Sequence, residues 1–419
     1  MLLLSHPTGN QNVRHVLAAL RSAGQLGLFY TTLGGARGGG AAWIPRRWQA
    51  EWDRRAYDLP SALIRRHPLR EVARVLATRA NWKFPVRDEF GIFCIDAVYR
   101  DLDAAVAANL KKLAARLGLT GVYGYEYACE YTFSAAASLG LARYYELPIA
   151  HWATAQRLLK EEALRCPAWE PTLVGTRDSA QKHERRSREL ALADLVVCPS
   201  KFVADSLPAD IRREKNVLIV PFGSPPFTRN GDGHASRSSG APCGPLRVLF
   251  AGSMTQRKGL ADLFAAVKSL NRADIELVVM GSLLAPLQFY RRELPSFIYE
   301  PTRPHDDVLA LMASCDILCL PSIVEGRALV MQEAMSQELP ILITPNTGGE
   351  DLVEEGKTGF LVPIRSPEKI ADRLAWFADN REETRVMGEA ARAKAAAYTW
   401  TEYGAKVAKA IQQHLALCS

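Results

Sequence analysis

Short apolar runs alternate with helix-spaced stretches along most of the chain. In the first half, runs at 1–5, 26–32, 121–125, 147–151 and 195–199 predict strands, with helices at 13–23, 102–117 and 131–144. After residue 246 the alternation starts again. Strands are expected at 247–251, 276–281, 317–320, 340–344 and 359–362, and helices at 259–270, 306–314, 328–336, 367–378 and 401–416. Such alternation predicts parallel sheets covered by helices, an α/β fold of two Rossmann-like doubly wound domains. Residues 228–245, TRNGDGHASRSSGAPCGP, are rich in Gly, Ser and Pro and read as a linker. The expected division is a first domain over 1–227 with a basic helical insertion at 46–116, a second over 246–395, and a closing segment at 396–419. Two doubly wound domains place a ligand cleft between them, facing the carboxyl ends of the strands.

Composition narrows this little. A chain of 419 residues exceeds one comfortable core, and 48% hydrophobic with 23% charged residues is ordinary for a globular protein. No apolar run approaches the ~18 residues of a membrane span. MLLLSHPTGN has no basic opening and its apolar run ends at Leu4, so it reads as a buried strand and the expected location is the cytoplasm. The eight cysteines are scattered without a C-x-x-C pair, which suits reduced thiols and not zinc.

Charge adds more. The net charge of +7 is local: residues 41–87 hold eleven Lys/Arg against four Asp/Glu, together with Trp43, Trp48, Trp52 and Trp82. Arg interleaved with Trp suits peripheral contact with an anionic membrane, on its inner face for a cytoplasmic protein. It equally suits a solvated basic face with core aromatics. No nucleic-acid-binding motif accompanies the charge, so nucleic acid is not an expected partner.

The densest chemistry lies in PSIVEGRALVMQEAMSQELPILITPNTGGEDLVEEGKTGFLVP, residues 321–363. A strand leads into a loop carrying Glu325, and a helix carries Glu333. A strand end followed by a helix start offers free N–H groups to phosphate or sugar oxygens, and each carboxylate can accept hydrogen bonds from sugar hydroxyls. The segment resembles the signature of glycosyltransferase family 4, the retaining group with the GT-B fold. That resemblance implies that Glu325 contacts the donor sugar and Glu333 the nucleotide ribose, with Gly326, Arg327, Ala328, Leu329 and Val330 lining the donor. Gly326-Arg327-Ala328 replaces the family's usual Gly-Phe-Gly, which makes Arg327 a candidate specificity element.

A second segment, FAGSMTQRKGLADLFAAV, ends a strand at Gly252 and opens a helix after Lys258-Gly259. A Lys there suits a diphosphate. The family's Arg after the strand-end Gly is Ser253 here, and Arg257 is expected to supply that charge. His151 is expected at the carboxyl end of a first-domain strand, facing the cleft beside the reacting sugar. In HPTGNQNVRH, Gly9 would allow close backbone approach to the diphosphate while Asn10 and Asn12 supply amides; a plain turn remains the alternative. The resemblance also implies an acceptor-binding first domain, a donor-binding second domain with base contacts near 297–300, and a last helix packed back on the first domain. The lone D-x-D, Asp101–Asp103, is expected to open a helix and not to hold a metal, so neither metal nor cofactor is expected.

The expected function is therefore retaining transfer of a hexose-type sugar from a nucleoside diphosphate sugar to a saccharide or lipid-linked saccharide, in surface polysaccharide or glycolipid synthesis. A sugar-nucleotide epimerase of the same fold and a non-catalytic nucleotide-sugar-binding protein are the alternatives.

Overall fold

The computed structural model describes residues 1–38, 49, 52–225 and 244–417. Most of the linker, Trp43 and Trp48 lie outside the described residues, as does much of the amino-terminal part of the basic stretch.

Two parallel sheets form. The first contains β1 (Leu2–Ser5), β2 (Leu26–Thr31), β3 (Ile64–Arg66), β4 (Gly121–Tyr125), β5 (Ala142–Glu146), β6 (Leu195–Cys198) and β7 (Asn216–Ile219), in the order β3-β2-β1-β4-β5-β6-β7. The second contains β8 (Leu246–Ala251), β9 (Ile275–Met280), β10 (Phe297–Glu300), β11 (Ile317–Leu320), β12 (Ile341–Ile343) and β13 (Gly359–Leu361), in the order β10-β9-β8-β11-β12-β13. The fold is α/β, with helices on the sheets. In each sheet the order reverses beside the first strand, opening a crevice at the carboxyl ends of β1/β4 and β8/β11. Strands next to these points are buried on both faces, as the wholly buried LLLS of β1 and ILCL of β11 show.

Helix Gln11–Ser22 buries Val13, Val16, Leu17 and Leu20, one face at helical spacing. The last helix, Trp400–Leu417, packs against it and adds Tyr403, Val407 and Ile411 to the first sheet's core. Not every residue before 227 serves the first sheet: Trp169 is packed in the second core against Phe264 and Tyr290.

Several expectations are corrected. The strand expected at 147–151 is a loop, because Pro148 cannot donate to a ladder, and the strand is ARYYE at 142–146. The helix expected to reach 144 stops at Ser138, before Gly140 at φ +67°. The stretch at 46–116 is no pure helical insertion, since it supplies β3 to the first sheet. Asp101 and Asp103 lie inside helix Ile95–Leu117, not at its start. Asp103 accepts the N–H groups of Tyr131 and Thr132, both at 2.8 Å, and so caps the neighbouring helix. Cys315 and Cys319 are buried free thiols.

Candidate functional site

At the carboxyl end of the second sheet, two loops are stitched together. The backbone N–H groups of Ile323 and Val324 both donate to the Arg257 carbonyl, at 2.9 and 3.2 Å. This fixes Glu325 over the 256–258 turn. Lys258 Nζ lies 2.5 Å from Glu325 Oε2, and Arg257 Nη1 lies 3.1 Å from Oε1. Burial alone would raise the Glu325 carboxyl, but the charges and hydrogen bonds of Lys258 and Arg257 prevail and hold it at about 2. Gly252 has φ +141°, and the Lys258 side chain crosses the place where a Cβ would sit. Ser253 receives a hydrogen bond from Ser282 Oγ at 3.1 Å.

Ala328 precedes helix Leu329–Ser336, whose first residues, Leu329 and Val330, are half-buried beside the Glu325 loop. Glu333 on that helix is raised by burial, partly offset by His305, whose Nδ1 is 3.9 Å away. Arg327 is a correction. Its guanidinium is fully buried, bonding Asp351 Oδ1 (2.7 Å), Gln332 Oε1 (2.8 Å) and the Gly348 carbonyl (3.2 Å). Occupied in this way, it braces the loop from behind and does not reach toward a ligand.

The first lobe faces this arrangement. A Cβ on Gly326 would collide with the Pro148 carbonyl, and Ser200 Oγ donates to the Gly326 carbonyl at 2.6 Å. His151 follows in the same loop, not at a strand end, and caps helix Trp152–Arg165. Burial, then Arg186 and His183, depress it to about 4. Its Nδ1 accepts the Ala153 N–H, which leaves the proton on Nε2.

Near the amino end, Gly9 has φ +66° and its open side is filled by the Tyr57 ring. The close approach there is thus to Tyr57. Asn10 is exposed, whereas the Asn12 amide is turned inward to Glu146 Oε1 at 2.5 Å. Asn12 is accordingly no ligand donor in this arrangement.

Four features left little trace in sequence. His6 Nδ1 accepts the N–H groups of Gly9 (2.8 Å) and Thr8 (3.1 Å), shaping the 6–10 loop; its only signal was a His at a strand end. Tyr127, just past β4, has φ +79°, costly for an aromatic residue. Its N–H is held by Glu189 Oε2 at 2.9 Å, and its ring lies under Arg186 and Lys182. Tyr99 meets that ring edge-on at 6.4 Å.

The remaining feature is a clamp between the lobes. Glu162, wholly buried on helix Trp152–Arg165, receives Arg165, Arg365 and Gln256 Nε2 (2.9 Å). Gln256 immediately precedes Arg257 and Lys258. Among the described residues, no group of three or more His, Cys, Asp or Glu is arranged to hold a metal ion. No helix among them is long and apolar enough to cross a membrane.

A cationic pair and a carboxylate at the switch point of a doubly wound lobe, facing a second such lobe, make up a site for an anionic ligand bearing hydroxyls. Residues 234–394 match the family model for glycosyl transferases, group 1. That segment contains Gly252, Ser253, Arg257, Lys258, Glu325 and Glu333, while Gly9, Asn10 and His151 lie outside it. Over 224 residues the chain is 28% identical to the sulfoquinovosyl transferase of Arabidopsis thaliana, covering 51% of this chain and 44% of that protein. It is 30% identical over 185 residues to a D-inositol 3-phosphate glycosyltransferase of Corynebacterium glutamicum, covering 41% and 44%. The aligned part spans about half the length of the curated relatives it matches. Across nearly the whole length the fold is that of GT-B proteins. Sucrose-phosphate synthase from Thermosynechococcus elongatus superposes with a TM-score of 0.68 at 16% identity, covering 99% of both chains. HepE from Anabaena, solved with UDP, superposes with 0.59 at 15% identity, covering 98% and 99%.

Proposed function

We propose that the chain is a retaining, metal-independent glycosyltransferase of the family 4 type, moving a hexose-type sugar from a nucleoside diphosphate sugar to a saccharide or lipid-linked saccharide. Surface polysaccharide or glycolipid synthesis on the inner face of a membrane is the proposed setting. The observation that carries the reading is the Lys258–Glu325–Arg257 cluster at the switch point of the group 1 segment.

In this reading the diphosphate enters between the 252–258 and 323–330 loops. Lys258 and Arg257 oppose the charge that develops on the leaving phosphate, helped by the first N–H groups of helix Leu329–Ser336. Glu325 holds sugar hydroxyls and Glu333 the ribose. Neutral His151 lies beside the reacting sugar and offers Nε2–H as a hydrogen-bond donor. The acceptor rests on the first lobe, where Tyr127 and Tyr99 supply an aromatic wall. Attack occurs on the face that the leaving group departs from, and the phosphate oxygen takes the acceptor's proton. The sugar–phosphate bond breaks as the new glycosidic bond forms.

Thermal shift against UDP, GDP and ADP identifies the nucleotide, since a ligand bound only by the folded state raises its stability. Transfer is then assayed in Lys258→Met and Glu325→Gln, which remove charge at near-constant volume. Each is expected to lose at least ~100-fold, the usual cost of one such electrostatic contact. Near-normal transfer in both would sink the reading. Nucleotide release that does not depend on acceptor would point to an epimerase instead.

A further inference from the structure

Among the described residues, eight of the eighteen exposed large apolar side chains fall between residues 69 and 95. They are not scattered. Leu69, Val72 and Leu76 share one face of helix Leu69–Arg79, at i, i+3 and i+7. Trp82, Phe84 (85% exposed) and Phe90 (77%) lie in the segment that follows, which returns to the helix where Arg70 Nη1 donates to the Ile92 carbonyl at 2.7 Å. A monomer rarely leaves so much contiguous apolar surface to water.

The exposed charge around this face is predominantly positive, with Asp88 the exposed acid within it. Arg66, Arg79, Lys83 and Arg87 are exposed on or beside it. Glu71, the only acid of the helix, is buried and bound by Arg55 and Arg74. A second copy meeting the face through a two-fold axis would set these cations against their own images. A neutral apolar partner would leave them unanswered. An anionic lipid surface answers both features, taking the apolar side chains among its acyl chains and the cations among its headgroups.

The face also leads to the cleft. Helix Leu69–Arg79 packs on helix Ile95–Leu117, whose Tyr99 meets Tyr127. Glu89, next to Phe90, accepts the Ser179 N–H at 3.1 Å and lies 3.5 Å from Lys182, the cation near the Tyr127 ring.

We propose that the 69–95 face seats the protein on an anionic phospholipid bilayer, with the first-lobe wall of the cleft at the lipid surface. The docking surface stands on its own observations. It deepens the functional reading only in bringing a lipid-linked acceptor to that wall.

The test is co-sedimentation with vesicles of phosphatidylcholine containing phosphatidylglycerol, against pure phosphatidylcholine. The native protein should bind the anionic vesicles at least ten-fold more tightly, and less so as salt is raised. Leu76→Gln/Phe84→Gln/Phe90→Gln should lose at least ten-fold of that binding with an unchanged melting temperature. Arg79→Gln/Lys83→Gln/Arg87→Gln should lose the preference for anionic lipid. The proposal is overturned if the native protein ignores both vesicles or if the apolar variant binds undiminished. It is equally overturned if light scattering shows a native dimer that the apolar variant dissociates while vesicle binding persists. None of these outcomes touches nucleotide binding or the Lys258→Met assay, so the two readings fail separately.

Discussion

Lys258 is already paired before any ligand arrives, because Glu325, held at about 2, is ionised at neutral pH. A diphosphate must therefore draw Lys258 and Arg257 partly away from that carboxylate. Two substitutions separate this competition from simple binding. Glu325→Gln should bind UDP as well as the native protein, or up to ~10-fold better, because a competing anion is gone while transfer is lost. Lys258→Met should bind UDP at least ~10-fold more weakly. Equal weakening in both, measured by isothermal titration, would show that Glu325 does not compete. Histidines make a second residue-scale prediction. Burial lowers His6 to about 3, and burial with Arg186 and His183 lowers His151 to about 4. Both folded values lie below that of a free histidine, about 6.5. The folded state thus holds its full stability from these groups above pH 6.5 and loses it as the pH falls toward 4 and then 3. The loss is about 1.4 kcal/mol per pH unit for each histidine. The urea midpoint should fall from pH 7 to pH 5, and His151→Gln should make that fall shallower. An unchanged slope would mean that His151 protonates freely in the folded protein.

At the scale of elements, legibility followed burial. The strands beside each switch point carry unbroken apolar runs, so 121–125 and 317–320 were placed to the residue. The strands that went unread, β3, β7 and β10, lie at sheet edges, where one side meets solvent and the run dissolves into IRR, NVLI and FIYE. Helix Arg381–Ala396 was missed for a related reason: Met387 is the one large apolar residue of its buried face, which is otherwise Thr384, Gly388, Ala391 and Ala395, too small to register as apolar spacing. β5 was displaced because Glu146 reads as surface, yet it is buried and satisfied by Asn12 and Tyr123. That Arg257, Lys258 and Glu325 belong together was legible because they come from two short segments. The first-lobe wall was not, because Tyr99, Tyr127 and Lys182 come from three separate elements. Tyr127 offers a test at this scale. Tyr127→Asn suits a positive φ, so the melting temperature should stay within a few degrees of native. Loss of the ring should raise KM for acceptor several-fold and leave KM for donor unchanged. A variant equally altered toward both substrates would place the ring's role elsewhere.

In the whole molecule the two lobes meet through an apolar cluster, in which Leu158, Leu159 and Leu173 pack with Ile323 and Val324, and through a few strongly bound polar groups. The chain passes between them twice, and the crossings run side by side: Ser224 N–H donates to the Tyr398 carbonyl at 2.8 Å. Away from these crossings, Glu162 and Asp262 share Arg165 and Gln256. Arg165 reaches Asp262 at 2.8 Å, and Gln256 Nε2 bonds both carboxylates, at 2.9 and 2.8 Å. Burial would raise Glu162, but hydrogen bonds from Arg165 and Gln256 bring it below the usual carboxylate value. The same Gln256 accepts the Ala261 N–H at 2.8 Å and opens the turn that carries Arg257 and Lys258. First-lobe position is thereby written into the geometry of the cationic turn. Glu162→Leu removes the shared anion, although Arg165 keeps Asp262 at 2.8 Å and Arg365 keeps Glu161 at 2.9 Å. Gln256→Leu is the finer probe, because no charge is lost. If the clamp holds the turn as well as the lobes, Gln256→Leu should lower kcat at least ~10-fold while moving the melting temperature by only a few degrees. A lowered melting temperature with native kcat would mean that the clamp joins the lobes but does not set the turn.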